Sequence, residues 1–304
     1  MFCYSISAGF NDIILNMKKI IIPLFLLVAA SAIVFYAVNY EKELPDAGEI
    51  TVHFIDVGQG DAILIDSGMT EILIDGGDKS SGIADYLTDY VDGNLEVIVA
   101  THAHADHIGG LIYVLRSFDV GQIWYDGYEA SSQTFKDFIS AVQSENAEVH
   151  IARRGDIIST GDLTLLVLNP DSTSDDLNNN SIVLSFSYGT VGFLFAGDAE
   201  HEAEASMLLS SPVPDIEILK VGHHGSRTAS SAEFLSALTP EVAIYMAKTG
   251  NSYGHPHQEA LDALLNVGAQ IYGTDTCGTI VITTNGETYQ IETEKPYDSI
   301  TAIP

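Results

Sequence analysis

The stretch Thr101-His102-Ala103-His104-Ala105-Asp106-His107-Ile108-Gly109-Gly110 constrains this chain more than any other. It places three imidazoles and a carboxylate within six positions, between the apolar run Val97-Ile98-Val99-Ala100 and the apolar pattern Leu111, Ile112, Val114, Leu115. That reads as a strand, a short loop and a helix. Imidazole and carboxylate are the usual ligands of a borderline divalent cation, and a loop at the carboxyl end of a strand can aim several of them at one point. In an extended loop, side chains two apart face the same way, so His102 and His104 can hold one ion together. Asp106 and His107 sit where the chain turns into the helix and can swing toward a second ion beside the first. Gly109 and Gly110 leave room for the bend and for close backbone approach. Four donors in six residues rarely serve packing, and the stretch is read as a metal site.

Seven of the ten histidines fall in three clusters, each after a strand. The second is Lys220-Val221-Gly222-His223-His224-Gly225-Ser226, following an expected strand Ile216 to Val221. A histidine pair between glycines is too flexible and polar for core packing. In the third, Tyr253-Gly254-His255-Pro256-His257, the proline can start a helix near His257 and leave His255 in the loop. Between the first two clusters lies Phe195-Ala196-Gly197-Asp198-Ala199. Asp198 is placed either to bridge two cations or to cap the helix expected at 200 to 209. Asp56 and Asp61 are assigned to shaping the Gly58-Gln59-Gly60 turn rather than to binding metal.

Strands are expected at 51–57, 62–66 and 71–75, then near 121–125 and 149–152, then at 163–168, 182–187 and 191–196. Helices are expected at 83–91, at 133–144 with Ser131 or Ser132 as its cap, and at 200–209. Further αβ units follow, ending in strands at 279–284 and 287–292. Strands, αβ units, strands and αβ units again predict one α+β domain in two similar halves, packed sheet to sheet as a four-layer αββα sandwich. The domain is bounded at 50–292, with a linker at 39–49 and a tail at 293–304. Ile20 to Val38 is an uncharged apolar run of the length that crosses a bilayer, preceded by Lys18-Lys19. An N-terminal transmembrane anchor at 20–38 is expected, with residues 1–19 cytoplasmic, a true start at Met17, and the bulk of the chain outside the cell membrane. Ala30-Ser31-Ala32 resembles a cleavage site, and cleavage there leads to secretion.

The formal charge of −30 acts on partners. From Glu43 onward, all but two of the acidic residues (Asp12 and Glu41) face all but three of the basic ones (Lys18, Lys19 and Lys42). Such a surface attracts cations and repels polyanions, which disfavours tight binding of duplex nucleic acid. Of the two cysteines, Cys277 reads as a small buried residue, and no disulfide framework is available.

His102-x-His104-x-Asp106-His107, then Gly197-Asp198, then histidines in later loops, resembles the metallo-β-lactamase-fold hydrolase superfamily. Phe54-Ile55-Asp56-Val57-Gly58-Gln59-Gly60-Asp61, Asn178-Asn179-Asn180-Ser181 and Val221-Gly222-His223-His224-Gly225-Ser226 resemble more narrowly the C-terminal hydrolase domain of ComEC-type DNA-uptake proteins and its free-standing relatives. The resemblance implies two divalent metal ions; the His-rich donors favour Zn²⁺, and a mixed imidazole and carboxylate site also accepts Mn²⁺. It implies that His102 and His104 hold one ion, Asp106 and His107 the other, and that Asp198 bridges. Asp75 supports the histidine loop from behind. The superfamily usually has a histidine near position 180, where this chain has Asn180. One histidine of the 223–224 pair fills that vacancy; His224 is taken for it, His223 is left to the substrate, and His255 completes the second ion. The pair 223–224 remains open to exchange on sequence.

The expected chemistry is hydrolysis of a phosphodiester, nucleic acid or another, outside the membrane. Two cations sharing Asp198 lower the pKa of a water between them, Asp106 orients that water, and His223 or a metal-bound water protonates the leaving group. The uptake proteins carry a many-helix channel, and one apolar span cannot form it. The alternatives are a membrane-tethered binding protein of the same fold without turnover, and a hydrolase of another ester or amide.

Overall fold

The alternating apolar strands of the middle and end of the chain pair into two sheets, in a computed structural model that describes residues 48–210 and 213–297. The expected anchor at 20–38, its cytoplasmic flank, most of the linker and the end of the tail lie outside these residues. Among the described residues no helix is long and apolar enough to cross a membrane.

The first sheet has the order β15-β14-β1-β2-β3-β4-β5-β6. Its strands are β1 (Ile50–Phe54), β2 (Ile63–Asp66), β3 (Glu71–Ile74), β4 (Asn94–Ala100), β5 (Asp119–Tyr125), β6 (Glu148–Ile151), β14 (Ile280–Thr284) and β15 (Tyr289–Thr293). The second runs β13-β12-β11-β10-β9-β8-β7. It contains β7 (Ile157–Thr160), β8 (Leu163–Asn169), β9 (Val183–Tyr188), β10 (Val191–Phe195), β11 (Ile218–Lys220), β12 (Val242–Tyr245) and β13 (Gln270–Gly273). The halves are not strictly sequential. β14 and β15 return to the first sheet, where β14 pairs antiparallel with β1, Val52 facing Ile282.

Strand alternation builds the layers. In β4, Val97 and Val99 point between the sheets, where they join Val52 and Phe54 of β1 and Phe186, Phe193 and Phe195 of the second sheet. Ile98 and Ala100 point outward and pack under α1 (Ile83–Leu87), α2 (Ala105–Ile108), α3 (Leu111–Ser117) and α4 (Gln133–Val142). Ser132 caps α4, its Oγ accepting from the Phe135 N–H at 3.2 Å. The outer face of the second sheet carries α5 (His201–Ser210), α6 (Ala232–Leu238) and α7 (Gln258–Asn266), through Met207, Phe234, Leu235, Leu261 and Leu264. Helix, sheet, sheet and helix therefore stack as the expected αββα sandwich.

β3, β4, β5 and β6 are mutually parallel, as are β10, β11, β12 and β13. Parallel strands bring their carboxyl ends to one edge, where ligand sites in αβ sheets form. The histidine loop follows β4, Asp198 follows β10 and the histidine pair follows β11.

Candidate metal centre

The loop after β4 is clamped from two sides. Gly60 has φ +131° and lies against the Asp106 carbonyl, which any Cβ there would strike. The Asp61 N–H then donates to that carbonyl at 3.2 Å. On the other side, the Gly76 N–H donates to the His107 carbonyl at 2.8 Å and the Gly110 N–H to the Gly77 carbonyl at 2.9 Å. A Cβ on Gly110 would collide with the Gly76 carbonyl, so glycine is required for this approach.

Asp75, buried and with φ 58°, holds the loop as expected. Its Oδ1 accepts the Thr101 N–H at 2.8 Å, and its Oδ2 accepts the Thr101 hydroxyl at 2.6 Å and His107 Nδ1–H at 2.7 Å. With the Thr101 proton committed to Asp75, the Thr101 Oγ1 accepts from His102 Nδ1 at 3.1 Å. Both imidazoles therefore carry their proton on Nδ1 and turn Nε2 inward. His224 does the same, donating from Nδ1 to the Met246 carbonyl at 2.9 Å.

Asp198 is where these nitrogens converge. Its Oδ2 lies 3.3 Å from His107 Nε2, 3.4 Å from His224 Nε2, 3.7 Å from His102 Nε2 and 3.9 Å from His223 Nε2. The helix α5 begins three residues later, the Asp198 carboxylate faces the imidazoles, and its backbone N–H donates to Ser181 Oγ at 3.0 Å. His102 Nε2 and His104 Nδ1 stand 3.0 Å apart. Tetrahedral zinc with bonds of about 2.1 Å sets neighbouring ligands about 3.4 Å apart. The donor set fits divalent cations on a second ground: His107 Nε2, His224 Nε2 and Asp198 Oδ1 are buried with no hydrogen-bond partner. Two ligand groups emerge, His102 with His104 and Asp198, and Asp61 with His107, Asp198 and His224.

The second group reallocates His224. On sequence it is expected beside His102 and His104. Its Nε2 instead lies 3.5 Å from Asp106 Oδ2, and its ring centroid is 5.2 Å from that of His107, on the other side of the centre. The cause is local backbone: His223 and His224 both adopt left-handed conformations, φ 44° and 55°, which redirect the two rings. His255 stays nearby, 5.2 Å from His223 and 6.1 Å from His224 between ring centroids, but belongs to neither ligand group. Asp106 also stands outside both groups.

Asp61 reaches further than turn shaping. It is buried, its Oδ1 is 3.3 Å from His224 Nδ1, and its Oδ2 accepts from the wholly buried ammonium of Lys220 and lies 3.9 Å from His107 Nδ1. These are the outer edges of the two rings, and Lys220 occupies the carboxylate. Asp61 is therefore a support behind the ligands. Lys220 also donates to the Gly197 carbonyl at 3.1 Å, beside Asp198. Glu200 is a further residue the sequence does not announce: its Oε1 accepts from His223 Nδ1 at 2.8 Å.

The electrostatics show what the centre needs. Burial alone would strip the proton from His107, but the Asp198 and Asp75 carboxylates reverse this and hold its pKa well above the ordinary imidazole value. His224 is likewise buried, and Asp198 and Asp61 raise it. Burial opposes charge on Asp198 too, yet His224 and His107 hold its pKa well below the usual carboxylate range. Asp106 is also lowered, against its burial, by His224 and His107. His102 is pushed well down by burial, with the charge of His107 adding to the effect. Positive charge at the centre is thus stabilising, and cations would take the place of those protons. A cleft of about 410 Å³ opens above it, lined by Gln59, His104, Asp106, His223, Tyr253 and His255.

A family model described as the metallo-beta-lactamase superfamily matches residues 48–248. The chain belongs to that superfamily. It is 29% identical over 274 residues to ComE operon protein 3 of Bacillus subtilis, covering 83% of this chain and 35% of that protein. It is 29% identical over 252 residues to Competence protein ComA of Neisseria gonorrhoeae, covering 80% and 33% respectively. The chain thus spans about a third of the length of these curated relatives, and the ComEC-type resemblance of its motifs holds. Among solved structures, the metallo-beta-lactamase fold protein YhfI from Bacillus subtilis superposes with a TM-score of 0.53 at 14% identity, covering 78% of this chain and 99% of that one. That likeness shows the fold.

Proposed function

We propose that this chain is a two-metal hydrolase of phosphodiester bonds. The observation that carries it is the convergence of His102, His107, His223 and His224 Nε2 on the single oxygen Asp198 Oδ2. One cation would be held by His102, His104 and Asp198, the other by His107, His224 and Asp198, with Asp106 and His255 at its open side. Two such ions, when bound, supply Lewis acidity toward a phosphoryl oxygen and activate water near neutral pH.

The chain's own residues do the rest. Asp75, Met246 and Thr101 fix the imidazoles by their Nδ1 protons, so the ligand atoms are aimed before anything binds. Asp106, with its carboxylate 29% exposed, is the acidic group facing the cleft. No serine or cysteine nucleophile is needed, and Cys277 is buried. The phosphodiester reading rests on the ComEC-type motifs at 54–61 and 221–226 and on relatives named for competence and recombination. Placement of the domain outside the cell membrane, behind an anchor at 20–38, rests on the apolar run alone and is part of the same proposal.

The test is hydrolysis by the full chain loaded with Zn²⁺ or Mn²⁺. Bis-p-nitrophenyl phosphate and single-stranded DNA are the substrates. Turnover of either, abolished in His104→Ala and Asp198→Ala, supports the reading. A metal-loaded chain that hydrolyses neither refutes it and leaves a binding role.

A further inference from the structure

An anionic ester entering the cleft above the two ligand groups meets few donors on its walls. Among the described residues no lysine or arginine lines the cleft, whereas two carboxylates, Asp106 and Asp198, do. Apart from the imidazoles, the lining side chains that carry an N–H or O–H are those of Gln59 and Tyr253. Tyr253 is 63% exposed, so solvent serves its hydroxyl. Gln59 differs, because its Nε2 is buried and has no hydrogen-bond partner among the described residues. A buried donor left unmet costs stability, and a group in the cleft that accepts from it recovers that loss.

The turn that carries Gln59 is fixed without this nitrogen. Asp56 Oδ1 accepts the Gly58 N–H at 3.1 Å, and Gly58 and Gly60 take φ values of +77° and +131° that favour glycine. Gly60 lies against the Asp106 carbonyl, and the Asp61 N–H donates to that same oxygen at 3.2 Å. Gln59 Oε1 accepts the Lys248 N–H at 3.4 Å. That bond sets the orientation of the amide, since turning it over would oppose its NH₂ group to the Lys248 N–H. The oxygen is therefore the limb used by the turn, and the nitrogen is the limb left over beside Asp106 and the cleft.

We infer that Gln59 Nε2 donates a hydrogen bond to a non-bridging phosphoryl oxygen of the substrate, which makes Gln59 a catalytic residue of the proposed reaction. This rests on the phosphodiester reading. A fixed amide donor aimed at an oxygen on which charge grows stabilises the transition state more than the ground state. A neutral donor also suits this wall, where an ammonium would be drawn to the Asp106 carboxylate instead of to the ester.

The zinc-loaded full chain tests this through zinc per chain, affinity for inorganic phosphate by calorimetry, and kcat and KM for bis-p-nitrophenyl phosphate. The variants are Gln59→Ala and Gln59→Glu. Glutamate keeps the length and an oxygen for the Lys248 N–H, but it replaces the donor by an anion. Both variants should carry as much zinc as wild type. Gln59→Ala should bind phosphate about 10-fold more weakly and lose about 100-fold in kcat. Gln59→Glu should be the weaker of the two in both respects. A Gln59→Glu chain that matches wild type while Gln59→Ala is impaired would overturn the inference, because Gln59 would then serve only the Lys248 N–H. Loss of zinc from Gln59→Glu would overturn it too, by making the effect one on the loop at 101–110. Wild-type phosphate affinity and turnover in both variants would overturn it and leave the hydrolase reading standing. A zinc-loaded wild-type chain that neither binds phosphate nor cleaves the diester would overturn both.

Discussion

Asp75→Asn isolates the hydrogen bonds behind the histidine loop from their backbone. Asparagine tolerates the left-handed conformation that Asp75 adopts at φ 58°, so the substitution adds no strain. Its Oδ1 can keep the Thr101 N–H. Its amide cannot accept from the Thr101 hydroxyl at 2.6 Å or from His107 Nδ1–H at 2.7 Å. Two bonds to a charged acceptor are worth about 1.5–3 kcal/mol each. Against that, burial raises the Asp75 pKa despite the His107 charge, so the carboxylate is itself costly to keep ionised. The net loss should be about 2–4 kcal/mol. Urea unfolding in chelator, followed by the fluorescence of Trp124, the only tryptophan, measures it. The same variant should bind zinc about 10- to 100-fold more weakly, because His107 loses the acceptor that aims its Nε2. An Asp75→Asn chain with wild-type stability and wild-type zinc affinity would refute the claim that Asp75 preorganises the loop.

Lys220→Met should destabilise the chain by about 3–5 kcal/mol, since it leaves Asp61 buried and uncompensated; the double variant with Asp61→Asn should recover part of this in the same unfolding assay. Asp126 has a buried Oδ2 with no hydrogen-bond partner, and burial raises its pKa to about 7 against the Tyr128 N–H and Arg153. Between about pH 4 and 7 the unfolded chain has released this proton and the folded chain keeps it, so stability from this group falls as pH rises through that window. Asp126→Asn should therefore match wild type near pH 4 and exceed it by up to about 4 kcal/mol at pH 8. Parallel unfolding curves for the two chains from pH 4 to 8 would contradict this assignment.

The parts of the site legible in sequence are those with consecutive donors. His102 to His107 crowd four ligand side chains between an apolar strand and an apolar helix, and local geometry dictates where they point. Asp75, at the end of a strand before two glycines, was readable only through the family resemblance. The αββα layering followed from blocks of strands and αβ units. The return of β14 and β15 to the first sheet was not readable, because the pairing of β14 with β1 spans nearly the whole domain. β7 escaped notice because Ile157 and Ser159 are exposed on an edge strand, which blurs the alternation. Lys220 and Asp61 lie 159 positions apart and meet only in the fold. The side of the centre that each histidine of the pair takes depends on two successive left-handed residues, which composition does not reveal. Glu200 looked like the first turn of a helix, and only the fold brings it to His223.

The central claim is that Asp198 is shared by two divalent cations. Elemental analysis of the full chain, purified without chelator, tests it most directly. The account predicts two equivalents of zinc or manganese per chain, and loss of both ions in Asp198→Ala. A wild-type chain that carries no divalent metal and takes up none on titration would contradict it.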